Sequence, residues 1–215
     1  MGAGSARVGL VGIVLATAAC ALAGASAGCG AGGDAPAPDE VRMTVGAAGR
    51  LTIARFPPFR YDGAGSGGVG RVTAFTAGVA EVRFEGGELA IPPLPIVGDA
   101  VRIDITTEAL TGTIDFCGGE IHLAFDASFR PVLFGQPYPT AISVVTDLTS
   151  ETAAGEFASY TGARLDESGQ AFLVGVARVP ATGDAFVNAL LSLPTDAVAE
   201  LPVTLEALPE RPRCD

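Results

Sequence analysis

The 215-residue chain contains no lysine and no tryptophan, and only one histidine and one asparagine. Each absence removes a class of chemistry. Without lysine there is no Schiff base, no Ser-Lys dyad and no ammonium clamp for phosphate. With His122 as the sole histidine, a Ser-His-Asp triad has one base to draw on, and a zinc site lacks partners. No tryptophan and three tyrosines (Tyr61, Tyr138, Tyr160) leave few platforms on which a sugar stacks. Lysine and asparagine share AT-rich codons, so their scarcity reads as a high-GC genome rather than as chemistry. Beyond residue 29 there is no C-x-x-C pair and no D-x-[DN]-x-[DN]-G loop, hence no redox motif and no EF-hand. Against 24 acids stand 13 arginines, for a net charge of −11. That balance disfavours nucleic acid and anionic headgroups as partners.

What is present begins at the N-terminus. Arg7 is the only charge before Asp34, and residues 8–25 form an unbroken run of apolar and small residues. Ser26, Ala27, Gly28 and Cys29 follow. A charged start, an apolar core and a small-residue cleavage site make a secretory signal. The stretch resembles the lipobox of bacterial lipoproteins, with Cys29 in the place of the modified cysteine and Ser26 where that family usually carries leucine. The resemblance implies removal of residues 1–28, a diacylglycerol on Cys29, and attachment to the extracytoplasmic side of a membrane in the cell envelope. Two other readings stay open. Ala25-Ser26-Ala27 is an A-x-A site for ordinary secretion, and the run is just long enough to persist as an uncleaved anchor. Cysteine parity favours lipidation: with Cys20 removed and Cys29 modified, only Cys117 and Cys214 remain, free to form a disulfide. Such a bond closes a loop of about 100 residues and stabilises by up to ~4–5 kcal/mol. Residues 29–39 read as a flexible tether and 40–215 as a single β-rich domain.

Within that domain the apolar pattern is mostly strand-like. Val101, Ile103 and Ile105 alternate with polar residues, as do Leu110, Ile114 and Phe116, and again Ile121, Leu123 and Phe125. Residues 171–179 are apolar on both sides, which predicts a strand covered on both faces. Further strands are expected at 41–45, 51–55, 80–84, 141–146 and 202–207. The Gly118–Gly119 pair predicts a tight hairpin, and Gly86–Gly87 repeats the pattern 32 residues earlier, predicting a second. A third turn is expected at 166–169. One helix is predicted over 184–193, with Phe186, Leu190 and Leu193 on one face and Val187 and Leu191 beside them. Thr182 or Gly183 would cap it, and Pro194 forbids its continuation. The fold class is therefore mainly β: an antiparallel β-sandwich or incomplete β-barrel of about eight to ten strands, with one short α-helix near the C-terminus.

Few residues carry chemistry. Glu120, His122 and Asp126 are spaced to share a strand face, which would suit a weak metal site or a general base, but a solvated polar face explains them as well. Glu88 and Glu120 follow equivalent Gly-Gly pairs, so a glycosidase-like carboxylate pair is conceivable. The apolar segments say more. Residues 89–97 carry no charge and hold several prolines, and 55–61 presents three aromatic rings. Phe56, Phe59, Tyr61, Ile91, Leu94 and Ile96 are the candidate ligand or partner surface. The expected function is an exported, lipid-anchored cell-envelope module, non-catalytic, acting by interaction or as structure. The alternative is a carrier of an apolar, lipid-like ligand inside the β-structure, and a third is a hydrolase using His122. No metal, cofactor or nucleic acid is expected. The expected partners are the membrane through Cys29 and either a protein or an apolar small molecule.

Overall fold

In a computed structural model the described residues are 37–53, 58–60, 66–88, 91–98, 100–156, 158–208, 212 and 214. Their strands are β1 (Glu40–Val45), β2 (Arg50–Ile53), β3 (Phe59–Arg60), β4 (Gly67–Thr76), β5 (Val79–Glu85), β6 (Leu94–Val97), β7 (Val101–Asp115), β8 (Ile121–Leu133), β9 (Gln136–Pro137), β10 (Ile142–Thr149), β11 (Thr152–Ala154), β12 (Ser159–Thr161), β13 (Gln170–Val179) and β14 (Thr195–Leu208). One helix, α1 (Ala185–Leu191), lies between β13 and β14. All pairings are antiparallel.

The strands close a ring in the order β1-β4-β5-β7-β8-β10-β13-β14, with β14 returning to β1. Closure is complete at one end only. There β1 pairs β14 from Glu40↔Leu208 to Val45↔Val203, and β5 pairs the C-terminal half of β7. Past the turn in which the Gly49 amide donates to the Gly46 carbonyl, β2 takes over the flank of β14 and β6 takes over the flank of β7. At this second end β3 and β6 each have a single neighbour among the described residues. The β10–β13 seam is also thin: Thr149↔Val174 is its one registered pair. The fold is an incomplete antiparallel barrel.

Two residues explain how long strands keep one face inward. In β7 a bulge between Thr107 and Ala109 resets the alternation, so Ile103 and Ile105 point in before it and Leu110 and Ile114 after it. The two alternating runs seen in the sequence are thus one bulged strand. In β14, Pro202 sits where the flanking partner changes from β2 to β1, and its carbonyl accepts from the Gly46 amide at 2.8 Å. A proline costs least where the ladder is already interrupted.

The interior divides into two apolar clusters. The closed end holds Val41, Phe84, Leu110, Ile114, Ile121, Leu123, Leu173 and Leu205 among others. The open end holds Ile53, Leu94, Ile103, Phe129, Val144, Val179 and the α1 residues Val187 and Leu191. Phe125 packs against both. The outer face of β13 is covered as well, because β11 and β12 lie over it and Val174 is buried there.

Three expectations need correction. Gly118–Gly119 does turn a hairpin: Gly119 adopts φ 77°, and the Asp115 amide donates to the Glu120 carbonyl. Gly86–Glu88, by contrast, forms a 3₁₀ turn that leads away to β6, because β5 is already flanked by β4 and β7. Gly86 lies against the Thr107 backbone at the bulge, leaving no room for a Cβ, and Thr107 Oγ1 donates to the Gly86 carbonyl at 2.8 Å. The helix is shorter than 184–193, its buried face is Val187 and Leu191, and Phe186 is half exposed. Asp184 itself is the cap, its Oδ1 accepting from the amides of Phe186 and Val187 at 2.9 and 3.1 Å.

Candidate ligand cavity

Between the two clusters the barrel is not filled. Inward side chains of β2 (Leu51), β7 (Ile105), β8 (Phe125, Phe129), β10 (Val144, Thr146, Leu148), β13 (Gly175, Ala177) and β14 (Ala197, Ala199, Leu201) surround a cavity of about 70 Å³. Ile91, just ahead of β6, completes the described wall. The space exists because β13 and β14 present glycine and alanine where other strands present leucine, valine or phenylalanine. It is partly open. Leu51, Ile91, Ile105, Phe125, Ala199 and Leu201 point inward and yet remain half-buried, so solvent reaches them.

Among the described residues no charged side chain lines the cavity, and Thr146 is the one polar residue there. Thr146 Oγ1 is buried and has no hydrogen-bond partner, alone among the side-chain polar atoms of the described residues. Buried hydroxyls are ordinarily paired, because an unmade bond leaves the desolvation cost uncompensated. On the neighbouring strand stands Gly175, where a Cβ would be 2.7 Å from Leu148 Cδ2 and 3.4 Å from Thr146 Oγ1.

The candidate residues read from the sequence scatter across this structure. Ile91 lines the cavity. Leu94 is 3% exposed in the open-end cluster, so it is core rather than free surface, and Ile96 packs half-buried against the same cluster. Cys29, Phe56 and Tyr61 lie outside the described residues, and of Phe59 only the backbone is described. Cys117 and Cys214 form a disulfide with a Cα–Cα distance of 5.4 Å. No α1 side chain is among the described lining residues, and Val187 and Leu191 pack in the open-end cluster instead.

The carboxylate that faces His122 is neither Glu120 nor Asp126. It is Glu151, whose Oε2 lies 4.0 Å from His122 Nε2. Glu120 pairs with Arg164 at 2.6 Å, and Arg164 reaches Glu151 at 3.3 Å. The register Thr149↔His122 brings Glu151 alongside, a placement invisible before strand pairing is known. All four side chains are about half exposed, and such pairs contribute little. Among the described residues no three His, Cys, Asp or Glu side chains converge as metal ligands would. Nor is any helix among them long and apolar enough to cross a membrane.

A second depression of about 390 Å³ lies on the outer wall over β4, β5 and β7, lined by Thr73, Glu81, Arg83, Thr111 and Thr113. It is wide and polar, and Thr73 Oγ1 is already engaged by the Glu81 carbonyl at 3.3 Å. Near α1, the amide of Val187 chiefly holds the Asp184 carboxyl below its ordinary value of 3.8, with Tyr138, Phe186 and Thr140 assisting against partial desolvation. The same contact raises the Tyr138 hydroxyl above its usual range. Both effects belong to helix capping.

No family model matches this chain, nor does any curated protein or solved structure.

Proposed function

We propose that this chain is an exported, lipid-anchored, non-catalytic binding module whose ligand is apolar and enters the barrel interior. The observation that carries the reading is the half-open cavity between two packed clusters, walled by Gly175, Ala177, Ala197 and Ala199. Its volume of about 70 Å³ sets the scale of the ligand. An engineered cavity of about 150 Å³ holds benzene, and whole drug-sized ligands need ~300 Å³ or more. The space therefore takes the end of a chain, with the remainder at the mouth beside Leu51 and Ile91.

The test is a straight alkyl chain ending in a fluorophore that brightens in apolar surroundings, so that the chain enters and the dye rests at the mouth. The exported protein is expected to enhance its emission. Ala199→Phe, which fills the cavity from β14, is expected to weaken binding by at least tenfold. Phe125→Ala, which enlarges the cavity from β8, is expected to strengthen it. Equal binding by all three proteins, each with an intact disulfide and strand content, would remove the cavity from the account.

One observation favours a protein partner as a second reading. At the open end Phe134 is 83% exposed with φ 50° at the tip of the β8–β9 hairpin, next to Val97, which is 59% exposed. The Phe134 amide donates to the Ala100 carbonyl at 2.8 Å, which places the two side chains on neighbouring turns. A bulky residue at positive φ is strained, and strain is retained where the side chain is used. Phe134→Asn is expected to raise the unfolding free energy by roughly 0.5–1 kcal/mol, because asparagine tolerates this conformation. Under this reading the same variant abolishes capture of the partner; capture that survives would end it.

A further inference from the structure

We infer that the ligand is an amphiphile with an unbranched alkyl chain, which enters over Leu51 and lies across the strands with its methyl end against β10. The inference rests on the cavity reading and adds the shape and direction of the guest. Strand register lays out the path. Leu51 is the Cα partner of Ala199, and Ala199 is the partner of Gly175. A Cβ on Gly175 would stand 3.1 Å from the Asp147 carbonyl oxygen, so β10 comes next in the row. Burial deepens along it. Leu51, Ile91 and Ala199 are half-buried, whereas Gly175, Ala177, Val144 and Leu148 are buried. The mouth is therefore at β2 and the blind end at β10.

The same register makes the space narrow in the other direction. Ala177 and Ala197 pair in the adjoining inward row, which buried Ile53, the partner of Ala197, closes at β2. Bulkier pairs bound these two rows, Leu173↔Leu201 toward the closed end and Val179↔Thr195 toward the open end. Inward rows on a strand lie about 7 Å apart, while three inter-strand spacings from β2 to β10 span about 14 Å. A trough long across the strands and two rows wide has the shape of an extended chain. At about 70 Å³ it is too small for a ring.

The experiment measures binding of dye-ended straight alkyl chains, from butyl to dodecyl, by the exported protein with its disulfide intact. Affinity is expected to rise about fourfold per methylene until the chain meets β10, then to level off. Val144→Ala, which sets the blind end back, is expected to move the levelling point to longer chains. Ala177→Leu, which fills the deep end, is expected to move it to shorter ones. Leu51→Ala at the mouth should leave it in place. A chain ending in a tert-butyl group is expected to bind at least tenfold more weakly than its straight isomer. Should Ala177→Leu lose its strand content, Val144→Ala alone decides the direction. A levelling point that the folded deep variants do not move, or that Leu51→Ala moves instead, overturns the direction of entry. Equal binding of the branched isomer overturns the shape. In both cases weaker binding by Ala199→Phe keeps the cavity reading standing. Binding by no chain of the series, or by Ala199→Phe as well as by the parent, overturns the cavity reading and this inference together.

Discussion

Replacing Cys117 and Cys214 with serine is expected to lower the unfolding free energy by about 4–5 kcal/mol, a large share of the stability of an ordinary domain. The bond spans 97 residues, and a cross-link of that reach removes a large loop-closure entropy from the unfolded chain. The native side contributes geometry. Cys117 sits in the β7–β8 turn, where the Phe116 amide donates to the Gly78 carbonyl, and Cys214 follows the end of β14. The bond therefore ties two points of the ring that the sequence leaves far apart. Urea unfolding of the oxidised protein and of the double serine variant measures the difference directly. A midpoint shift equivalent to less than about 1 kcal/mol would mean that strand pairing alone holds the closed end.

Phe84→Ala is expected to cost about 3–5 kcal/mol. Phe84 is fully buried in the closed-end cluster, and its ring lies over Gly70, where a Cβ would come within 2.8 Å of three ring carbons. The aromatic side chain thus fills space that glycine leaves on the adjoining strand. Truncation opens both voids at once. In a chain of this length the change lowers Tm by roughly 10 °C or more. Thermal unfolding of the oxidised variant reads the effect. A loss below about 1 kcal/mol would place the weight of the fold elsewhere, on the β7–β8 ladder or the disulfide.

The same two residues show what was legible in the sequence. Phe84 stands in a clean alternation with Ala80 and Val82, and the strand around it was plain. Gly70 belongs to β4, which no pattern announced, because Gly67, Gly68 and Gly70 lower strand propensity and make sense only against the Phe84 ring. The continuation of β8 through Ala127 and Phe129 was equally silent, since its inner face mixes small and large residues. Helix α1 was visible from its stop signal, yet the choice of buried face turned on which side the barrel end offered. Of the cavity, the sequence marked Ile91 and the apolar run 171–179. Thr146 was hidden, since a threonine on a strand is ordinary until its neighbours are known to offer it nothing. Leu94 misled, because a run without charge describes an edge strand over the core as well as it describes a docking patch.

The β10–β13 seam has one further consequence. Elsewhere the ring is joined by long ladders, and here by Thr149↔Val174. A cylinder breathes where its hoop is weakest, and sub-global openings draw on the least stable contacts. Parting these two strands costs one ladder pair, the side-chain contacts around it and the adjoining bridge between Ala163 and Phe172, less than unfolding the domain. Val144, Thr146 and Leu148 stand on one lip of this seam and Gly175 and Ala177 on the other. Of the junctions in the ring, this is the one at which an opening would widen the interior at least cost.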